Sequence, residues 1–548
     1  MNTTTAGRRT ATPSTPERNP WLILFVLCAA VFMLLLDTTI VNVAQQKIKE
    51  ALGADLSEIQ WILDSYIMAY AVLILSFGRL GDVFGRKKLF IIGMAIFTAA
   101  SALCAASTLI GQATGIPPAA ALIGARVLQG VGGAMMMPQT LSLITVAFPP
   151  QQRGAAMGTW GSVVALGAVV GPIIGGWLVT NYRWEWIFLI NIPIGILAIA
   201  ATIFIVPESI DPLASGKIDW GGLILSATGI FALVYAAIEG NVLGWTSPII
   251  LGSFLASAML LTAFVWWEKR ARDPMMKMEL FAIHNFSVAN VLALAVSFGM
   301  LGIFFPMTVF LQGALGMSPI EAGFAMLPNG LVLMFVAPLA GRLTDRVGAR
   351  WILVGGLTLM SVGIMLLIHQ ISETTSQWSL VLPLIVTGVG MGMTFAPMTA
   401  AAMAQVPPRI AGSASGILNT TRNIGQVLGI AILGSILQGR LAVHGAAALQ
   451  SVPSLDPVVG DTIGDLIAGG RVEAIPAALP ANSAALLPAI FDAVKSAFVL
   501  SLHETFAIGA VVCLIGAGIA LLIQNPNRKT VTAEQRLPER IAQPVAAD

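Results

Sequence analysis

Long, solid apolar runs fill most of this chain and recur at short intervals from residue 21 to residue 523. The runs at 21–40, 89–110 and 221–238 hold few charges or none, and each is long enough for a helix that crosses a bilayer. A closed β-barrel is the other structure that spans membranes, but its strands alternate apolar and polar positions. The continuous runs therefore predict an all-α integral membrane protein.

The apolar runs predict fourteen membrane-crossing segments, called spans 1 to 14 below. Their ranges are 21–41, 59–79, 89–110, 118–141, 154–180, 186–206, 219–240, 247–267, 287–312, 322–341, 351–369, 379–402, 411–437 and 499–523. Because the number is even, both termini should lie on one side of the membrane. The positive-inside rule supports this, since 21 of the 29 Lys and Arg fall on the side of the termini and six on the other.

Composition excludes several classes of soluble protein. Hydrophobic residues make up 56% of the chain and charged residues 10%, against about 25% charged residues in soluble domains. The net charge of +2 gives no reason to expect nucleic-acid binding. The three cysteines lie in apolar runs and the four histidines lack metal-ligand spacing, so we expect no metal site. The chain shows neither a Walker motif nor a nucleophile–base pair, so we expect neither a nucleotide-driven pump nor an enzyme.

An internal repeat divides the spans into two halves. The stretch 78–86, Gly-Arg-Leu-Gly-Asp-Val-Phe-Gly-Arg, follows span 2, and 341–348, Gly-Arg-Leu-Thr-Asp-Arg-Val-Gly, follows span 10. Two six-helix halves are typical of transporters. We therefore expect an N-terminal tail (1–20), an N-terminal half (21–206), an inserted pair of spans 7 and 8 (207–270), a C-terminal half (271–437 with 499–523), an extracytoplasmic loop (438–498) and a C-terminal tail (524–548). The long loop is either a folded lid or a loose spacer.

The two repeated turns predict latches between the halves at the cytoplasmic side. Glycines permit a tight turn, and an aspartate can accept hydrogen bonds from a helix N-terminus and pair with arginine. The residues assigned to these gating loops are Gly78, Asp82, Gly85, Arg86, Gly341, Asp345 and Gly348.

Five ionisable residues fall inside or at the ends of spans. Asp37 in span 1 is costly to bury charged, so we expect it to be protonated part of the time and to carry protons. Arg126 in span 4 stays charged and needs a partner, which makes it a candidate for tuning a carboxylate. Asp64 is either a cation or proton site or a solvated mouth residue, Glu239 is favoured as an interfacial residue, and Arg422 is left open between function and structure.

Two further groups of residues suit a transporter. Glycines in span 5 permit close helix packing and a proline there permits bending; they are Gly158, Gly167, Gly171, Pro172, Gly175 and Gly176. The 23 methionines and 24 phenylalanines suit an adaptable cavity. Candidate cavity residues are Asn42, Gln129, Met135, Phe304 and Met391.

These motifs resemble those of the major facilitator superfamily. The stretches 36–44 (Leu-Asp-Thr-Thr-Ile-Val-Asn-Val-Ala), 126–133 (Arg-Val-Leu-Gln-Gly-Val-Gly-Gly) and 188–193 (Phe-Leu-Ile-Asn-Ile-Pro), with the span-5 glycines, resemble its fourteen-helix drug:proton antiporters of the EmrB/QacA type. The resemblance implies a major facilitator fold, alternating access, a proton-relay role for Arg126 and no cofactor beyond the proton gradient. Span 13 departs from the branch's cation exporters, because it carries Arg422 and no acid.

We therefore expect a proton-coupled antiporter that exports lipophilic, cationic drugs or dyes across a bacterial inner membrane, with both termini in the cytoplasm. A periplasmic adaptor is left open as a partner. One alternative is a major-facilitator exporter of a specific metabolite, lipid or siderophore. A membrane sensor or enzyme is the remote alternative.

Overall fold

The computed structural model describes residues 19–524, apart from 55, 212–215, 318, 374, 454, 469–474 and 480–485. Residues 1–18 and 525–548, which make up almost all of the two predicted tails, lie outside the described residues. The described residues form helices and no strands. The α-helices are α1 (Pro20–Leu52), α2 (Leu56–Phe84), α3 (Arg86–Ala105), α4 (Ser107–Thr114), α5 (Pro118–Ala147), α6 (Arg153–Asn181), α7 (Trp186–Leu189), α8 (Asn191–Ile205), α9 (Trp220–Leu243), α10 (Pro248–Glu268), α11 (His284–Val309), α12 (Pro319–Val347), α13 (Arg350–Gln370), α14 (Val381–Met403), α15 (Ala411–Gln450), α16 (Pro457–Ala468), α17 (Ile475–Ala478) and α18 (Leu487–Ala520).

Each of the fourteen predicted spans coincides with helix in the structure, and α7 and α8 together form span 6. Among the described residues, twelve helices are long and apolar enough to cross a membrane, with mean hydropathies from 1.3 to 2.5. The helices α6 and α11, of 29 and 26 residues, occupy predicted spans 5 and 9. The all-α membrane fold is thereby confirmed.

Helix starts follow local capping chemistry. The Asn19 side chain accepts a hydrogen bond from the Trp21 backbone N–H at 3.0 Å, and Pro20 opens α1. Asp219 caps α9 in the same way, since its carboxylate accepts from the Gly222 N–H at 2.9 Å. Such side chains satisfy backbone donors that have no partner inside the helix.

The helices pack as two halves with an added pair. In the N-terminal half α5 packs on α2 and α3, and α1 packs on α6; in the C-terminal half α11 packs on α15, and α14 packs on α12 and α13. The halves meet along two seams, α6 against α12 and α2 against α15. The inserted helices α9 and α10 pack on each other, and α9 also contacts α2 and α15.

The region predicted as a loop at 438–498 is largely helical where it is described. Helix α15 continues to Gln450 rather than ending at 437, and α18 begins at Leu487 rather than 499. Ile463 and Ile467 of α16 are fully buried, and Ile467 lies over Gly445 of α15. The added turns of α15 are stabilised because α16 covers their apolar face. The length of an apolar run in the sequence does not indicate this kind of packing.

Candidate functional site

A buried carboxylate–guanidinium pair lies in the N-terminal half. Asp37 is fully buried and Arg126 is 1% exposed. The Arg126 Nη1 donates to Asp37 Oδ2 at 2.6 Å. Asp37 lies inside the membrane-crossing segment Pro20–Gln45 of α1, about 25 Å from its first residue and about 12 Å from its last. Each charge therefore depends on the other for compensation.

Three neutral side chains complete this coupling cluster, defined as Asp37, Ser101, Arg126, Gln129 and Asn191. Asp37 Oδ1 accepts from Gln129 Nε2 at 3.0 Å and from Asn191 Nδ2 at 2.8 Å. Gln129 Nε2 also donates to Ser101 Oγ at 2.7 Å, and Gln129 Oε1 accepts from Arg126 Nη1 at 2.7 Å. The cluster thus joins α1, α5 and α8 through the Asp37 carboxylate, and α3 through the Gln129 amide.

Sequence reasoning found part of this cluster. Arg126 was predicted as a coupling residue and Gln129 as a cavity residue. They are three residues apart on α5 and therefore share one face of that helix. Asn191 stood in the quoted stretch 188–193 without an assigned role, and Ser101 was not selected. Asn191 is the first residue of α8, directly after Ile190, which separates α8 from α7, and its side chain reaches Asp37. The sequence shows Asn191 and Ser101 only as polar residues within apolar spans. Other spans also contain polar residues, and no pattern distinguishes these two from them.

A stacked tyrosine pair extends from the cluster. The Arg126 guanidinium lies 4.3 Å from the centre of the Tyr66 ring, and Tyr66 stacks on Tyr70 with ring centres 6.1 Å apart. Thr38 Oγ1 donates to the Tyr66 hydroxyl at 3.4 Å. Tyr70 lies beside Arg422 and Asn423 of α15, so the tyrosines reach from the cluster to the C-terminal half.

The other selected ionisable residues lie apart from the cluster. Asp64 of α2 is partly buried and lies within electrostatic range of Glu239 of α9. The structure therefore brings together two carboxylates whose proximity no sequence pattern indicated. Arg422 of α15 is 6% exposed, and its guanidinium lies between the rings of Phe395 at 4.9 Å and Trp160 at 5.6 Å.

The first latch closes the seam between α2 and α15. Asp82 is fully buried and accepts from the backbone N–H groups of Gly412 at 2.8 Å and Ser413 at 2.6 Å, and from Ser413 Oγ at 2.9 Å. Arg86 Nε donates to Asp82 at 2.9 Å, and Arg86 Nη2 donates to the Pro408 carbonyl at 2.8 Å. Asp82 lies in the last turn of α2 rather than in a turn after it, so one aspartate fastens the α15 N-terminus to the end of α2.

The glycines of this turn meet steric demands. A Cβ on Gly78 would lie 2.7 Å from the Gly416 Cα, which explains why only glycine fits that crossing. Gly85 has φ 109°, a conformation that favours glycine.

Two acidic residues of the segment before α9, Glu208 and Asp211, lie beside the first latch. Asp211 lies 3.9 Å from both Arg79 and Lys277. Burial lowers the pKa of Lys277, and the nearby Arg79 lowers it further. Glu208 accepts from the backbone N–H groups of Lys87 at 3.0 Å and Lys88 at 3.1 Å. A carboxylate at these N–H groups stabilises the start of α3.

The second latch repeats the plan with fewer bonds. Asp345, in the last turn of α12, accepts from the backbone N–H groups of Gly154 at 2.9 Å and Ala155 at 3.0 Å, at the start of α6. Gly341 lies against the Gly154 backbone, and Gly348 has φ 89°. Both repeated turns therefore fasten a helix N-terminus of the opposite half, at the same end of the bundle.

The glycines of α6 line two different seams. A Cβ on Gly158 would lie 2.5 Å from the Ala337 carbonyl oxygen, on α12 of the opposite half. A Cβ on Gly167 would lie 2.8 Å from the Leu35 Cβ, and one on Gly175 would lie 2.6 Å from Ile40 Cγ1, both on α1. Gly171 packs against Thr39, Pro172 lies inside α6, and Gly176 is buried.

The five candidate cavity residues do not line one cavity. Phe304 and Met391 line an enclosed space of about 10 Å³ in the C-terminal half, together with four further methionines and Asn329. Gln129 belongs to the coupling cluster. Asn42 is exposed, and Met135 packs at Gly93 on the seam between α3 and α5.

Comparison with known proteins supports the motif resemblance. The family model described as Major Facilitator Superfamily matches residues 27–430. The tetracenomycin C resistance and export protein of Streptomyces glaucescens is 31% identical over 544 residues, which cover 98% of this chain and 96% of that protein. Multidrug resistance protein Stp of Mycobacterium tuberculosis is 34% identical over 453 residues, or 82% of each chain. The solved proton:xylose symporter XylE shares the fold, with a TM-score of 0.59 at 13% identity, covering 91% of this chain and 94% of that one.

Proposed function

The chain belongs to the major facilitator superfamily, and we propose that it exports lipophilic drugs in exchange for protons that bind at Asp37. It is a multi-pass membrane transporter related to antibiotic resistance and export proteins. The observation that carries the proton site is the fully buried Asp37, whose two oxygens accept from Arg126, Gln129 and Asn191.

Protonation of Asp37 is coupled to helix movement through the ion pair with Arg126. Oδ1 accepts two hydrogen bonds and Oδ2 accepts one, so Oδ2 retains a lone pair for the proton beside Arg126 Nη1. A neutral Asp37 also leaves the Arg126 guanidinium without its counter-charge, which is costly at this depth. Arg126 must then shift to another acceptor or to water, and α5 moves relative to α1. Proton release restores the ion pair.

Alternating access would use the two seams. In this structure both latches are made, so the bundle is closed at the end that carries the latches. Opening that end requires Asp82 and Asp345 to leave the N-termini of α15 and α6. The close glycine contacts of α6 with α12 reform on closure, which limits proton leak through the seam.

The charge distribution supports the orientation. The latches lie on the side that holds 21 of the 29 Lys and Arg, which the positive-inside rule assigns to the cytoplasm. We therefore propose that the protein lies in a bacterial inner membrane with both termini in the cytoplasm. Lipophilic cations would bind at the carboxylates Asp64 and Glu239, because Asp37 is engaged by Arg126.

The test is efflux of rhodamine 123, a lipophilic cationic dye, from proteoliposomes under an imposed inward proton gradient. Wild type is compared with Asp37→Asn and with Asp492→Asn, which removes an exposed carboxylate of α18. We expect gradient-driven efflux in wild type and Asp492→Asn, and its loss in Asp37→Asn. Undiminished gradient-driven efflux in Asp37→Asn would place the proton elsewhere. Absence of dye movement in wild type would favour a dedicated metabolite exporter.

A further inference from the structure

The guanidinium of Arg422 has donors that the protein does not satisfy. Arg422 is 6% exposed, yet within the part of the chain that the structure describes its Nε and Nη1 have no hydrogen-bond partner. Buried arginines ordinarily pair with a carboxylate or with several carbonyls, because an unpaired buried charge is costly. Arg126 in the same bundle has such partners, so the two buried arginines serve different purposes.

A second unsatisfied donor lies beside the first. Trp160 Nε1 is buried and has no partner among the described residues, and its ring lies 5.6 Å from the Arg422 guanidinium. Two neighbouring groups that can only donate are complementary to one acceptor-rich group. A carboxylate or phenolate meets that need, whereas a cation does not.

The residues around Arg422 come from both halves of the bundle. Tyr70 on α2 and Trp160 on α6 belong to the N-terminal half, and Phe395 on α14 and Arg422 on α15 to the C-terminal half. Arg422 lies about 16 Å along α15 from its latch-end start, near mid-membrane. A site that straddles the halves is exposed when they separate, which is the state in which an exporter loads.

We propose that Arg422, with Trp160 and Phe395, binds the acidic group of a lipophilic aromatic substrate. The guanidinium and the indole N–H recognise the carboxylate or phenolate, and the rings of Trp160 and Phe395 provide faces for planar ligands. The stacked pair Tyr66–Tyr70 connects this site to Arg126 of the coupling cluster. The inference rests on the proposed function, because it names a second substrate class for the same exporter.

Two dyes with one xanthene ring system and opposite charge test the proposal, namely fluorescein as the anion and rhodamine 123 as the cation. Binding to detergent-solubilised full-length protein is measured by fluorescence anisotropy, so no proton gradient is needed. The variants are Arg422→Gln, Arg422→Lys and, as the matched control, Arg440→Gln. Arg440 is on the same helix, with a side chain 53% exposed and paired to Glu504.

We expect Arg422→Gln to weaken fluorescein binding by about tenfold or more, because a charge-assisted hydrogen bond is lost. Arg422→Lys should give an intermediate loss, since lysine keeps the charge without the planar donors. Rhodamine 123 binding should be unchanged or tighter in both variants, and Arg440→Gln should match wild type for both dyes.

Three results would overturn the proposal: wild type that does not bind fluorescein, fluorescein binding that Arg422→Gln leaves unchanged, or an equal loss of both dyes in Arg422→Gln. The last would indicate a structural role, and size-exclusion profiles of the variants identify misfolding directly. Failure of proton-driven efflux in the earlier experiment would not alter these binding ratios, so the two proposals are tested separately.

Discussion

Replacement of Asp82 by Asn should release the latch between α2 and α15. Asp82 is fully buried and accepts from Arg86, Gly412 and Ser413, so the substitution leaves Arg86 facing a neutral amide. The Asp82–Arg86 pair lies within the N-terminal half and persists on opening, so the cost across the seam is the loss of the charged acceptor for the Gly412 N–H, the Ser413 N–H and Ser413 Oγ. A hydrogen bond to a charged group contributes about 1.5–3 kcal/mol. We take about 3 kcal/mol in all, because the asparagine oxygen still accepts from one of these donors. At about 1.4 kcal/mol per tenfold, the closed-to-open ratio falls by roughly a hundredfold.

The second latch provides the comparison. Asp345 is partly exposed and accepts from two backbone N–H groups, at 2.9 and 3.0 Å. Loss of such a helix N-terminal contact costs about 1 kcal/mol. Asp345→Asn should therefore change the closed-to-open ratio by only about fivefold.

Double electron–electron resonance between two spin labels measures the closed-to-open ratio as a distribution of distances. Spin labels at Gln151→Cys and Ala404→Cys sit on exposed positions at the latch end, in opposite halves. The native cysteines Cys28, Cys104 and Cys513 are buried, so labelling favours the introduced sites. We expect one short distance in the parent protein, a mixture with a longer distance in Asp82→Asn, and a nearly unchanged distribution in Asp345→Asn. Equal shifts in the two variants, or no shift in Asp82→Asn, would refute the reasoning from burial and bond number.

Three further predictions follow from the packing and the charges. Asp37→Asn and Arg126→Gln should each lower thermal stability, by about 3 kcal/mol, and the double variant should lose less than their sum, because it leaves no unpaired charge; additive losses would contradict the pairing. Gly158→Ala should shift the spin-label distances towards the open state, because its Cβ would lie 2.5 Å from the Ala337 carbonyl, whereas Gly161→Ala, with its nearest atom at 3.9 Å, should not. The pKa of Lys277 is lowered in the folded state, so the unfolded state binds more protons between that lowered pKa and 10.5, and stability should rise with pH across this interval. Thermal melts at pH 8 and 10 should show this rise in wild type and a smaller one in Lys277→Met; equal rises would contradict it.

The sequence by itself determined the number and placement of the membrane helices. Whether about twenty consecutive residues cross a bilayer depends on their own transfer free energy, which is local to the run. The repeated turns were visible for the same reason, since the spacing of glycine, arginine and aspartate is a property of nine residues. The four-residue spacing of Gly167, Gly171 and Gly175 likewise predicts one helix face, and the structure places that face on α1.

Only the tertiary structure decided which polar residues meet. Asp37 pairs with Arg126, 89 residues away, and accepts from Asn191, 154 residues away, so each contact depends on the rotation and crossing of separate helices. The same dependence gave Arg422 aromatic neighbours and, among the residues that the structure describes, no acceptor for its Nε and Nη1, although Arg422, like Arg126, is a lone arginine in an apolar helix. In a bilayer every span is apolar on most faces, so hydrophobic pattern does not fix helix rotation. Packing of small residues and pairing of buried polar groups fix it instead, and both are properties of the assembled bundle.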